Sequence, residues 1–207
     1  MNEPRLTQRL TAAARGGAGL PKGALERFAE RAAGDGLIDV AYATLGTPLG
    51  ELLVAATPRG VVRISYLDWF PSEATLADLA KRVSPRVIEA PERLDEVRRE
   101  LDEYFEGRRR SFSVATDRSL LAPFARKVLG RTARIPYGEV STYGAVAAAA
   151  GSPRAARAAG NALASNPIPI VIPCHRVLHS GGGMGGYTGG LDRKARLLEL
   201  EGALSAG

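Results

Sequence analysis

Cysteine, histidine and aromatic residues are scarce in this 207-residue chain: one Cys, two His, and aromatics at 6%. A single cysteine excludes an internal disulfide framework and suits a reducing compartment. One cysteine with two histidines falls short of the usual zinc ligand sets, so neither a metal nor another cofactor is expected. No apolar run reaches the length of a membrane helix, and the polar N-terminal stretch carries no signal-peptide core. A cytoplasmic chain with no membrane partner is expected. What remains is an ordinary composition, 45% hydrophobic and 24% charged, enough for one large or two small domains.

The net charge of +6 becomes informative when it is located. Residues 116–207 carry 11 Lys and Arg against 5 Asp and Glu, which accounts for the whole excess; residues 1–115 are neutral. A basic half beside a neutral half fits a polyanion-binding domain joined to a scaffold domain. The plainer alternative is that Arg is simply abundant in an Ala/Gly/Arg-rich chain.

Residues 1–36 read as an N-terminal extension without chemistry, with a short helix possible over Ala24–Ala33. Residues 37–115 read as a small α/β domain. Three strand-like runs, Leu37–Thr44, Gly50–Thr57 and Gly60–Tyr66, are separated by Gly/Pro turns, with a hairpin at Pro58-Arg59-Gly60. Helices are predicted over Thr75–Val83 and Pro91–Phe105, the second with Leu94, Val97, Leu101 and Phe105 on one stripe. Arg108-Arg109-Arg110 reads as a solvated turn, and the aromatic cluster Tyr66–Phe70 as core packing.

A second domain is expected over residues 119–204. Pro123–Arg131 is its first helix, and a hydroxyl of Ser141 or Thr142 can cap the next, Tyr143–Ala150. Gly151 ends it, and Ser152 and Pro153 supply an N-cap and a first-turn proline for Arg154–Ala164. Two short helices joined through glycine form a helix-turn-helix. The second helix offers Ala155, Ala156, Ala159, Gly160 and Ala162, with Arg154 and Arg157 near its start. Small side chains approach a groove closely but read few base edges, so double-stranded DNA is the expected partner, with little sequence preference.

The stretch from Ile168 to Val177 holds the only cysteine, Cys174, beside His175. Branched apolar residues between prolines read as a short buried extended segment that presents Cys174 from a stiff support. Sulfur beside imidazole can form a reactive thiolate. A lone cysteine is otherwise most often a small buried hydrophobe.

Pro173-Cys174-His175-Arg176-Val177, with Asn166-Pro167 before it and Gly185-Gly186-Tyr187-Thr188-Gly189-Gly190-Leu191 after it, resembles the O6-alkylguanine-DNA alkyltransferase family. The likeness is strong over residues 124–202, weaker over 37–114, and leaves out 1–36. It implies an α+β chain: an RNase H-like α/β domain followed by a winged helix-turn-helix domain. The implied activity is irreversible transfer of an alkyl group from O6-alkylguanine in DNA to Cys174, once per monomeric molecule. By the same resemblance His175 is the base, acting through a water, and Glu201 in the last helix orients it. Tyr143 donates a proton to the departing guanine, and Asn166 ties two backbones together. Pro169, Val177, Gly185, Tyr187 and Thr188 are implied to form the substrate pocket. Arg157 resembles the arginine that enters the duplex when the base swings out, and Ser152, Arg154, Ala155, Ala156, Gly160, Tyr143 and Arg176 are expected on the DNA face. Three other readings share features of this chain. An alkyltransferase-like lesion-binding protein would lack the cysteine, a winged-helix regulator would need base-reading side chains, and a cysteine hydrolase would carry a more distant histidine.

Overall fold

The computed structural model describes residues 38–204, so the extension and its helix over Ala24–Ala33 lie outside the described residues. Three strands form an antiparallel meander: β1 (Val40–Thr47), β2 (Gly50–Thr57) and β3 (Gly60–Tyr66). A short β4 (Val87–Glu89), too brief to announce itself in the sequence, adds in parallel to β1 and gives the order β3-β2-β1-β4. Alternate residues of β2 serve two cores, Leu52 and Val54 one, Leu53 and Ala55 the other. That is the period-two geometry of a strand covered on both faces. Gly60 turns the expected hairpin at φ +120°, where a Cβ would sit 2.2 Å from the Ala115 carbonyl oxygen.

Helix α1 (Ser72–Arg82) seals the smaller core with Leu79. Pro91–Leu94 winds as a 3-10 turn into α2 (Asp95–Phe105). The buried apolar stripe runs from Leu94 in that turn through Val97, Leu101 and Tyr104 of α2 rather than ending on Phe105, which is only partly covered. The 3-4-3 spacing favours Tyr104, and its hydroxyl has a partner inside.

The second half supplies α3 (Pro123–Thr132), α4 (Tyr143–Ala149), α5 (Ala156–Ala164) and α6 (Leu191–Leu200). Thr142 caps α4 by accepting a hydrogen bond from the Ala145 amide at 3.1 Å. Helix α5 starts later than expected. Residues 152–155 form a turn closed by the Ala155 amide on the Ser152 carbonyl, and neither Ser152 nor Pro153 starts the helix. Two-residue strands β5 (Ser141–Thr142) and β6 (Val177–Leu178) pair in parallel, fixing α4 against the cysteine segment. Both halves contribute to the larger core, from Leu52 and Leu101 through Val146 and Ile172 to Leu197. Among the described residues no helix is long and apolar enough to cross a membrane.

Candidate active site

The segment before Cys174 is buried as expected, but it is not extended. Its backbone folds on itself, with Val171 N–H to Pro169, Ile172 N–H to Ile168 and Cys174 N–H to Ile172 carbonyls at 2.8–2.9 Å. Two prolines without N–H groups leave the segment little to offer a sheet. Ile170 takes φ +73°, the one non-glycine positive φ among the described residues and a costly one for a β-branched side chain. Asn166 holds the coil together. Its amide nitrogen donates to the Ile172 carbonyl at 2.9 Å and to Cys174 Sγ at 3.2 Å, while its oxygen accepts from the Ile168 amide at 3.0 Å. One buried side chain thus ties together two turns of the same coil, rather than two separate backbones, and also points a donor at the sulfur.

Cys174, His175 and Arg176 form a 3-10 turn, all three buried. Burial pushes the Cys174 thiol up to about 11, against the opposing pull of the Asn166 amide and the Lys194 ammonium. The resting sulfur is therefore a thiol and needs a base. His175 Nε2 lies 3.0 Å from Glu201 Oε1, while Nδ1 is buried with no hydrogen-bond partner. Burial holds His175 below its ordinary 6.5, with Glu201 pulling the other way. A neutral ring donating through Nε2 keeps the Nδ1 lone pair open for a proton.

Glu201 sits one residue past α6 and is buried in a cage of donors. Arg176 grips it with Nε to Oε2 at 2.8 Å and Nη2 to Oε1 at 2.7 Å, and the Tyr104 hydroxyl donates to Oε1 at 2.6 Å. Burial alone would raise this carboxyl, but hydrogen bonds from His175 and Arg176 outweigh it and hold the group near 2. Arg176 also donates to the Ile135 carbonyl at 2.5 Å. It is 6% exposed, which corrects its expected place on the DNA face. A guanidinium enclosed with a buried carboxylate cannot reach a phosphate, and its task is to fix Glu201.

Lys194 was not foreseen. It lies on α6 and is fully buried. Its ammonium donates to the Val177 carbonyl at 2.7 Å and to the carbonyls of Met184 and Gly186, clamping the glycine-rich segment over β6. Burial brings it down to about 8. The signal was its place on the inward stripe with Leu197, Leu198 and Glu201.

Cys174 opens onto a cavity of about 620 Å³ whose wall includes Tyr143, Arg157, Gly160, His179, Tyr187 and Thr188. The helix-turn-helix and the sulfur therefore share one wall. Ala156 also lines it; Arg154 and Arg157 are exposed, and Ser152 and Ala155 are half-buried on the turn before α5. Ala159 and Ala162, expected on the same face, are buried inward. Thr188 donates to the Ala164 carbonyl at 2.9 Å, tying the glycine-rich segment to the end of α5. Tyr143 leans on His179, their rings 5.1 Å apart, and burial raises its hydroxyl against the pull of the Gly186 amide. Gly185, at φ +65°, is packed so closely that a Cβ would sit 2.3 Å from the Tyr143 hydroxyl. It acts by yielding room to Tyr143 and is not itself on the wall. Pro169 is a correction of the same kind, buried inside the coil behind the wall, and the Val177 side chain is buried in β6, which leaves only the backbone expected there to face the cavity.

Comparison with known proteins bears on both halves. Two family models match, the 6-O-methylguanine DNA methyltransferase ribonuclease-like domain over residues 40–118 and the 6-O-methylguanine DNA methyltransferase DNA binding domain over residues 123–203. A Bacillus subtilis constitutive methylated-DNA–protein-cysteine methyltransferase is 39% identical over 163 residues, covering 77% of this chain and 94% of that protein. The human methylated-DNA–protein-cysteine methyltransferase is 38% identical over 168 residues, covering 77% and 79%. Among solved structures, Mycobacterium tuberculosis OGT in complex with DNA superposes with a TM-score of 0.68 at 35% identity, covering 79% of this chain and 93% of that one. With both domains matched in order and the lone cysteine set between Asn166 and His175, the chain belongs to the 6-O-methylguanine DNA methyltransferase family.

Proposed function

We propose that this chain is a single-turnover DNA repair protein that moves the alkyl group of O6-alkylguanine in double-stranded DNA onto Cys174. Residues 119–204 form the winged helix-turn-helix that carries the reaction, and residues 37–115 the scaffold. It acts as a monomer in the cytoplasm, on DNA and without cofactor. Helix α5 lies in the groove, with Arg154, Ser152 and the small residues Ala155, Ala156 and Gly160 against the backbone. Arg157 fills the space left when the damaged nucleotide swings into the cavity, offsetting part of the few kcal/mol that unstacking costs.

There the Cys174 proton passes through a water to His175 Nδ1, while Glu201 stabilises the imidazolium. The sulfur attacks the alkyl carbon in line. A carbon–sulfur bond forms, the carbon–oxygen bond breaks, and its electron pair stays on guanine. Tyr143 donates a proton to the leaving base and is reprotonated from solvent as His175 releases its own. The product is a thioether, which water does not cleave, so the protein is consumed.

One observation carries this reading: a buried thiol, held by Asn166 beside an imidazole with an open nitrogen, opens into a cavity walled by helix α5. Titrating an O6-methylguanine duplex with protein tests it. Repair is expected to stop at one lesion per molecule, and continued turnover would overturn it.

A further inference from the structure

At Tyr66 the sheet domain comes up behind the wall of the reaction cavity. Tyr66 ends β3, the edge strand, whose Ile64 amide donates to the Pro167 carbonyl at 2.8 Å next to Asn166. Its side chain is fully buried, and its hydroxyl lies 2.9 Å from that of Tyr187. Tyr187 in turn lines the cavity beside Cys174 and sets its ring at 89° to that of His175, 6.3 Å between centroids.

Everything around Tyr66 fixes it in place. The Arg193 guanidinium lies 4.4 Å from its ring centroid, a distance at which a cation is held by the ring face. Arg193 is itself pinned by the Leu49 carbonyl at 2.7 Å, the Gly189 carbonyl at 2.9 Å and the Asp68 carboxylate at 2.6 Å. Gly189 passes so close that a Cβ there would meet Tyr66 at 2.4 Å and Tyr187 at 2.9 Å. A core phenylalanine would fill this space equally well. What Tyr66 adds is a hydroxyl, and its one hydrogen-bond partner among the described residues is the hydroxyl on the cavity wall.

We infer that Tyr66 is a positioning residue for alkyl transfer, its hydroxyl setting the Tyr187 ring as the wall against which the extruded base and its alkyl group are aligned with sulfur. The scaffold domain thereby takes part in the chemistry. Without the Tyr66 hydroxyl, Tyr187 keeps a half-buried hydroxyl that must seek another partner, and the ring leaves its place. An in-line attack is sensitive to such shifts, because misplacement by an ångström costs on the order of a hundredfold in rate.

The inference rests on the alkyl-transfer reading, and the test separates the two. Single-turnover transfer is measured at saturating protein with free O6-benzylguanine, whose base needs no extrusion, and with a methylated duplex. Tyr66→Phe is expected to slow both reactions about tenfold or more, with duplex affinity and melting temperature close to wild type. In a double-mutant cycle, Tyr66→Phe added to Tyr187→Phe is expected to cost nothing further, since the shared bond is already gone. A Tyr66→Phe rate within about twofold of wild type, or independent effects in the cycle, overturns the inference. So does a lowered melting temperature with an unchanged rate in the folded fraction, which makes Tyr66 core packing only. A wild-type chain that transfers no alkyl group from either substrate overturns the alkyl-transfer reading, and this inference with it.

Discussion

Replacing Arg176 by Met keeps an unbranched apolar stem and removes the guanidinium with its charge. Glu201 then loses the two bonds at 2.8 and 2.7 Å and keeps only Tyr104 and His175, with its carboxylate still buried. Breaking one partner out of a buried pair costs about 3–5 kcal/mol. At roughly 2–4 °C per kcal/mol for a body of this size, the melting temperature should drop by about 6–20 °C. A second signature lies in acid. Glu201 is held at about 2 against an ordinary 4.5, so its contribution is fully present above 4.5 and is lost as pH falls towards 2. Without Arg176 that depression shrinks, and the acid-dependent loss of stability between pH 4.5 and 2 should shrink with it. Thermal unfolding across pH reads both effects, and duplex affinity across salt reads a third. A buried arginine neutralises no phosphate, so the salt slope should stay as in wild type. An unchanged melting temperature with a slope reduced by about one would show that Arg176 contacts the DNA backbone and refute this account.

Other perturbations separate the parts of the site. Arg157→Ala should slow repair of duplex DNA at saturating protein yet leave free O6-benzylguanine transfer near wild type; equal rates on duplex would reduce Arg157 to a phosphate contact. Gly185→Ala, at φ +65° and with a Cβ aimed at the Tyr143 hydroxyl, should displace Tyr143 and lower transfer from both substrates, which single-turnover rates would register. His175 works as a neutral base whose proton affinity burial has lowered, so the transfer rate should hold through neutral pH and fall only below 6.5. A rate that climbs with pH up to the thiol value near 11 would mean that Cys174 ionises without His175.

Much of this site was legible because its residues are local to one another. Asn166, Cys174 and His175 lie within ten positions; the pairing of sulfur with imidazole is visible from residue types and order, whereas the roles of His175 and Asn166 came through the family resemblance. Strands β2 and β3 and helix α3 followed from apolar patterning bounded by Gly and Pro. The rest depended on contacts between distant residues. Tyr104 meets Glu201 across 97 positions and Tyr66 meets Tyr187 across 121, so neither pair leaves a trace in a local window. Arg176 and Lys194 were misread or missed for a related reason. A cation in a sequence is taken as solvated, and only the fold shows the buried carboxylate or the carbonyls that receive it. The coil over residues 166–173 defeated strand reasoning because its carbonyls and amides are satisfied by an asparagine side chain and by its own turns.

In this mechanism Cys174 accepts the alkyl group and keeps it. Peptide mass mapping after reaction with an excess of O6-methylguanine duplex addresses it directly. A gain of one methylene is expected on the Cys174 peptide alone, in proportion to the lesions removed, and no repair by Cys174→Ala despite retained binding to the damaged duplex. Lesions removed while the Cys174 peptide stays unmodified would contradict it.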